Sequence, residues 1–256
     1  MRSTIDPNLS NLEVIYVLKN IKPCCRVIID DSTKQEFCDF CYHNNLCICF
    51  SDYKIVPIYD KNKMGFSNRM ERVPTTLKGG KIIAYISKYE KIVEFAKHYE
   101  HERDHTSLGK LLGYPECCIN FYTGNREQAL KNQDDYMMLI PTKDKIYPFY
   151  NNYAIRCFGV SLISHFPCSL DCKNSKDIAQ KNLNFLRKEF PQTAIFFEKE
   201  LKSFVICAGE NGIFYSSDYK KEGNTIFFNA LKSTVKNEIF CKLEKEKKSN
   251  SIHIMK

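Results

Sequence analysis

The 256-residue sequence contains no tryptophan. No stretch of it approaches the roughly 18–20 consecutive apolar residues that cross a bilayer, so a helical membrane span is not expected. The opening residues, Met1-Arg2-Ser3-Thr4-Ile5-Asp6-Pro7, lack the apolar core of a secretory signal, and the expected location is the cytoplasm. No P-loop, glycine-rich dinucleotide fingerprint or nucleophile elbow occurs, which removes three common enzyme signatures. There is also no internal repeat of fixed period and no long low-complexity linker.

An apolar fraction of 43% allows a real core and rules out wholesale disorder. Lys and Arg number 38 against 30 Asp and Glu, a net charge of +8. The segment Lys236 to Lys256 is lysine-rich but mixes signs and reads as solvated surface, with nucleic-acid contact as the alternative. Thirteen cysteines are the unusual count, and their odd number argues against a fully paired disulfide framework. In a reducing compartment they point to metal binding, to redox chemistry or to small buried side chains.

Strand and helix patterns alternate at the start of the chain, which predicts an α+β fold, or α/β as the alternative. Ser10 is a candidate cap for a helix through Leu12, Ile15 and Leu18 that ends before Pro23. A strand at Cys25–Ile29 and a short helix at Thr33–His43 follow, then strand-like runs at Leu46–Phe50, Lys54–Tyr59 and Lys81–Ser87. This makes residues 1–87 an N-terminal mixed sheet with helices and 88–190 a central, mostly helical region. Residues 191–243 read as a C-terminal hairpin or small sheet, with strands at 203–207, 213–215 and 225–228. Residues 244–256 read as a flexible tail. The four segments are expected to form one compact unit.

The most specific local feature is Leu112-Gly113-Tyr114-Pro115-Glu116-Cys117-Cys118, echoed by His165-Phe166-Pro167-Cys168-Ser169-Leu170-Asp171-Cys172. Each places an aromatic residue, proline and cysteine where a helix can open. Proline is favoured at the first helical position, and the free N–H groups and dipole there favour thiolate over thiol. On a helix Cys168 and Cys172, four residues apart, share one face. If the two openings meet, Cys117, Cys118, Cys168 and Cys172 make a site for zinc or an iron–sulfur cluster, with His165 just outside it. Burial alone is the competing explanation for any single cysteine.

These motifs, with Leu108-Gly109-Lys110-Leu111 before them and Arg156-Cys157 between them, resemble an uncharacterised prokaryotic family, largely archaeal, with a Gly-Tyr-Pro-x-Cys-Cys signature. The resemblance covers roughly residues 80 to 190. It implies a shared architecture and a shared cysteine site, and it brings no activity with it.

A second candidate lies just upstream. His98, His101 and His105 follow helical spacing, and His101-Glu102-Arg103-Asp104-His105 matches the HExxH pattern of zinc peptidases. Charged neighbours explain this face equally well as a solvated surface. The preferred version has Glu102, Asp104 or His105 handling protons beside Cys117. A third candidate, Cys38, Cys41, Cys47 and Cys49 with His43, resembles a zinc knuckle, but its two pairs stand too close for a zinc ribbon.

The leading expectation is therefore a metal- or iron–sulfur-dependent enzyme acting on a small polar or anionic substrate. Cys117, Cys118, Cys168 and Cys172 would be the ligands, Arg156 a substrate anchor, and His105, Glu102, Asp104 and His165 the acid–base groups. The alternatives are a metal-free thiol protein of redox or sulfur transfer, and a basic nucleic-acid or protein binding module.

Overall fold

A computed structural model describes residues 9–58, 69–142, 147–249 and 253–254. Tyr59, the last residue of one expected strand, and most of 250–256 lie outside the described residues. The fold is α+β, with three small antiparallel sheets. Two compact units divide it, one ending at Thr123 and the other beginning at Gly124. The division falls inside the stretch 88–190.

The first unit is built on strands β1 (Cys24–Asp30), β2 (Cys47–Pro57), β3 (Met70–Pro74) and β4 (Lys81–Ser87), in the order β1-β4-β2-β3. Helices α1 (Leu9–Leu18), α2 (Lys34–His43), α3 (Glu90–His101), α4 (His105–Leu111) and α5 (Glu116–Gly124) complete it. Because α1 starts at Leu9, Ser10 lies within its first turn.

Strand β4 explains the layering. Its side chains alternate, so Ile82, Ala84 and Ile86 join Val14, Val17, Val27, Ile29 and Cys41 on one face of the sheet. Ile83 and Tyr85 join Val93, Ala96, Leu108 and Leu112 on the other. A strand covered on both faces reads as a continuous apolar run, which is why Ile-Ile-Ala-Tyr-Ile was recognisable. The same alternation separates the cysteines of the third candidate, the knuckle-like group. Cys41 packs on the first face, while Cys47 and Cys49 pack on the second.

Strand β2 merges two expected runs into one. Its register with β4 jumps between Phe50 opposite Ala84 and Lys54 opposite Ile82. Three residues, 51 to 53, therefore face Ile83 alone. The Ser51 hydroxyl accepts from Ile83 N–H at 3.2 Å and donates to the Tyr53 carbonyl at 2.6 Å, restoring bonds the bulge removes.

Under α3, Arg26 donates to Glu100 through Nε and, at 3.1 Å, through Nη2. Arg72 donates to the Glu100 and His101 carbonyls, capping the C-terminal end of the helix, and its guanidinium lies 4.3 Å from the Tyr53 ring centre. Burial pushes the Glu100 carboxyl up, but Arg26 outweighs it, with Arg72 and His105 assisting, and the carboxyl rests below its ordinary range.

The second unit contains α6 (Arg126–Lys131), α7 (Lys173–Glu189), α8 (Pro191–Leu201) and α9 (Glu238–Glu246). Strands β5 (Phe204–Cys207) and β6 (Ile213–Ser216) form the expected hairpin, extended by β9 (Lys232–Ser233) and β11 (His253–Ile254) in the order β11-β5-β6-β9. Strands β7 (Tyr219–Glu222), β8 (Thr225–Phe228) and β10 (Lys248–Ser249) form the other sheet. A core of Phe204, Phe214, Ile226, Phe228 and Leu231 supports it. Helix α9 lies mostly in the segment expected to be strand-rich, and its last turn and strand β10 give regular structure to residues expected to belong to the tail.

Candidate metal centre

Cys117 and Cys118 are the second and third residues of α5, as the proline signature predicts. Pro115 stands just before the helix, and its carbonyl accepts from Cys118 N–H and Ile119 N–H, both at 2.9 Å. The chain arrives there through a tight C-terminal cap on α4. Gly113 N–H donates to the Lys110 carbonyl and Tyr114 N–H to the Gly109 carbonyl, each at 3.0 Å. Gly113 has φ +75°, and a Cβ at that position would stand 3.2 Å from Pro23 Cδ, so two constraints require glycine. One turn earlier, a Cβ on Gly109 would stand 2.8 Å from Ile119 Cγ1. The absent side chain lets α4 and α5 touch, and Ile119 is the neighbour of Cys118.

The second cysteine segment differs from its expectation. Helix α7 begins only at Lys173, with Cys172 as its N-cap, and Pro167-Cys168 lies in irregular chain ahead of it. Cys168 and Cys172 therefore do not share a helical face. A turn joins them instead, closed by Cys172 N–H donating to the Ser169 carbonyl at 3.1 Å. The buried Asn151 amide clamps this turn, donating to the Leu170 carbonyl at 3.2 Å and the Cys172 carbonyl at 3.0 Å. No reading of the sequence pointed to Asn151, which comes from a short 3₁₀ turn about twenty residues away.

The sulfurs of Cys117, Cys118, Cys168 and Cys172 all lie within 4.8 Å of one another, and this cluster could hold a metal ion. The Cys117 and Cys118 sulfurs are 3.9 Å apart. Cys118 and Cys172 are buried, and Cys117 and Cys168 are half-buried. Among the described residues no other group of three or more His, Cys, Asp or Glu side chains converges in this way, the Cys38–Cys49 group included.

The other cysteines divide by environment. Burial pushes the Cys24 and Cys41 thiols up to about 12, and the Cys25 thiol well above its ordinary value. Burial likewise pushes Cys207 up to about 12. Cys157 and Cys241 are exposed residues, yet the Cys157 thiol itself turns inward to the Ala154 carbonyl at 3.3 Å, and burial pushes it up to about 12.

The HExxH stretch is not one helix. Helix α3 ends at His101, Arg103 adopts a left-handed φ of +60°, and α4 starts afresh at His105. His101 and His105 therefore lack the one-turn helical spacing that zinc peptidases use. Asp104 is the N-cap of α4, accepting from Ser107 N–H at 2.9 Å, and the Ser107 bonds hold its carboxyl below the usual range. Glu102 caps the end of α3 and is exposed, while His105 stands edge-on to Tyr122, 5.4 Å between ring centres. His165 is buried with Nε2 2.8 Å from Ser175 Oγ, and Arg156 donates to the Ile163 carbonyl at 3.2 Å.

Fold and cluster together define an α+β protein with a four-cysteine site. Residues 83–202, from β4 to the residue after α8, match the family model described as Protein of unknown function (DUF483). All four clustered cysteines fall within the match. Comparison with curated proteins finds no match, and comparison with solved structures finds none. Among the described residues no helix is long and apolar enough to cross a membrane.

Proposed function

We propose that this protein holds a single metal ion of the zinc class in a tetrathiolate site formed by Cys117, Cys118, Cys168 and Cys172. The spacing of the sulfurs carries the reading. Zinc–sulfur bonds of about 2.3 Å in a tetrahedron put the sulfurs ~3.8 Å apart. The 3.9 Å between Cys117 and Cys118, and the 4.8 Å limit for the whole set, come close to that edge. A four-iron cluster places an inorganic core between its ligands and needs the sulfurs roughly 6 Å apart or more. The spacing therefore favours one ion over a cluster.

The donor set also bears on the role. Four thiolates fill a tetrahedron, the pattern of a closed structural site, whereas a catalytic zinc keeps a position for water or substrate. Support for a structural role comes from the other expected site residues. Asp104 caps a helix, Arg156 bonds a backbone carbonyl and His165 pairs with Ser175, each an architectural use of a polar group. On this reading the ion fixes the start of α5 and the Cys168–Cys172 turn.

Cobalt(II) titration of metal-free protein tests the site. A sulfur-to-cobalt charge-transfer band should saturate at one ion per chain, and zinc should displace it. Replacing Cys118 or Cys172 with Ala should lower affinity by tenfold or more. Absence of the band, or saturation unaffected by both substitutions, would overturn the proposal.

A further inference from the structure

A cavity of about 480 Å³ opens where the bulge in β2 breaks the ladder to β4. It is lined by Asp31, Lys34, Phe50, Ser51, Asp52, Lys54, Thr75 and Ile82. The size is that of a small-molecule site. All of these residues precede the 83–202 stretch matched to the family. None belongs to the cysteine cluster.

We propose that this cavity binds a phosphate group, free or carried by a small molecule, between the Lys34 and Lys54 ammonium groups. The bulge re-aims Lys54, which is only 7% exposed. Its ammonium group pairs with Asp31 and donates to the Leu77 carbonyl at 3.0 Å. An ammonium group has three donors, so one remains. Lys34 is held over the Phe50 ring, its Nζ 4.5 Å from the centroid, and among the described residues it has no carboxylate partner. The two carboxylates of the wall are already engaged, Asp31 by Lys54 and Asp52 by Lys97. Two aspartates against Lys34, Lys54 and Lys97 leave one positive charge uncompensated. The donors still to be satisfied are those of the Lys34 ammonium and the last of Lys54. The cavity also borders the first residue of the ten-residue helix α2, whose dipole favours an anion. Two point charges with rotatable donors suit the spread oxygens of phosphate.

Heteronuclear NMR of the whole chain, titrated with inorganic phosphate and separately with phenyl phosphate, tests this. Sodium chloride and sodium acetate at equal ionic strength serve as controls. Saturable shifts confined to Lys34, residues 51–54 and Thr75 are expected for the phosphates alone. K34A should weaken binding at least tenfold, and K54M should do the same while keeping a folded spectrum. K188A, at a lysine whose side chain is 82% exposed, should change nothing. Tighter binding of phenyl phosphate would indicate a phosphorylated small molecule, and tighter inorganic phosphate the free ion. Shifts that grow linearly, spread over the lysines, match those from chloride, or survive K34A unchanged would overturn the proposal.

Discussion

Substituting Gly109 with Ala puts two effects of opposite sign in competition, and the outcome reports on how closely α4 and α5 approach. Helix propensity alone favours Ala over Gly by about 1 kcal/mol. Packing opposes it, because the new Cβ would lie 2.8 Å from Ile119 Cγ1. Carbon atoms rest at ~3.5–4.0 Å, so Ile119 must retreat by about 1 Å. Ile119 is 4% exposed, and Cγ1 is near the root of its side chain, so rotation gives little relief. Overpacking of this kind costs about 1–3 kcal/mol, which leaves a net loss of about 0–2 kcal/mol. The control is Gly124, the last residue of α5, where an added Cβ meets nothing within 4 Å. There Ala should stabilise by up to about 1 kcal/mol. Urea unfolding of the metal-free variants measures both changes. Chelator competition on the zinc-loaded variants measures a second consequence, since a shift of Ile119 moves Cys118 and should weaken zinc several-fold in G109A but not in G124A. If G109A gains as much stability as G124A, the close contact between α4 and α5 does not exist.

Three further outcomes follow from the same contacts. Replacing Glu100 with Gln leaves Arg26 facing a neutral partner and should cost about 3 kcal/mol near neutral pH. Because the folded carboxyl titrates below its ordinary range, its contribution is present above that range and lost as pH falls through the lowered value. Stability curves of wild type and E100Q should converge in acid, and parallel curves would refute the ion pair. Replacing Asn151 with Ala removes both bonds to the Cys168–Cys172 turn and should cost about 1–3 kcal/mol, with weaker zinc retention; unchanged retention in chelator competition would show that the clamp does not position the cysteines. In metal-free protein, alkylation mapped by mass spectrometry should reach Cys117 and Cys168 before Cys118 and Cys172, and Cys24, Cys25 and Cys41 only on unfolding, so early labelling of Cys25 would contradict its burial.

Much of this was legible from periodicity. The run Lys81–Ser87 could be nothing but a buried strand, and the hairpin around Gly209 to Gly212 followed from its turn residues. Gly113-Tyr114-Pro115 announced a helix cap and a new helix start, because those residue types have few other uses together. Two features were hidden for physical reasons. The HExxH match looks continuous in sequence, yet a left-handed Arg103 and the Asp104 cap break the helix there, and a cap competes with helical continuation on local hydrogen bonding alone. The Pro167-Cys168 stretch has a helix-opening composition, but the clamp that holds it as a turn comes from Asn151, and long-range contacts leave no periodic trace. The sulfurs nonetheless converge, because either local shape brings Cys172 to the start of α7. Strand β3 went unread altogether, since half-exposed edge strands such as Met-Glu-Arg-Val-Pro have little apolar alternation.

The tetrathiolate site is tested most directly by elemental analysis and a visible spectrum of protein purified without oxygen, for wild type and for C118A. Wild-type protein should carry about one zinc-class ion per chain and be colourless, and C118A should lose the ion. A metal-free wild-type protein, or a coloured one with several irons per chain, would contradict the tetrathiolate site.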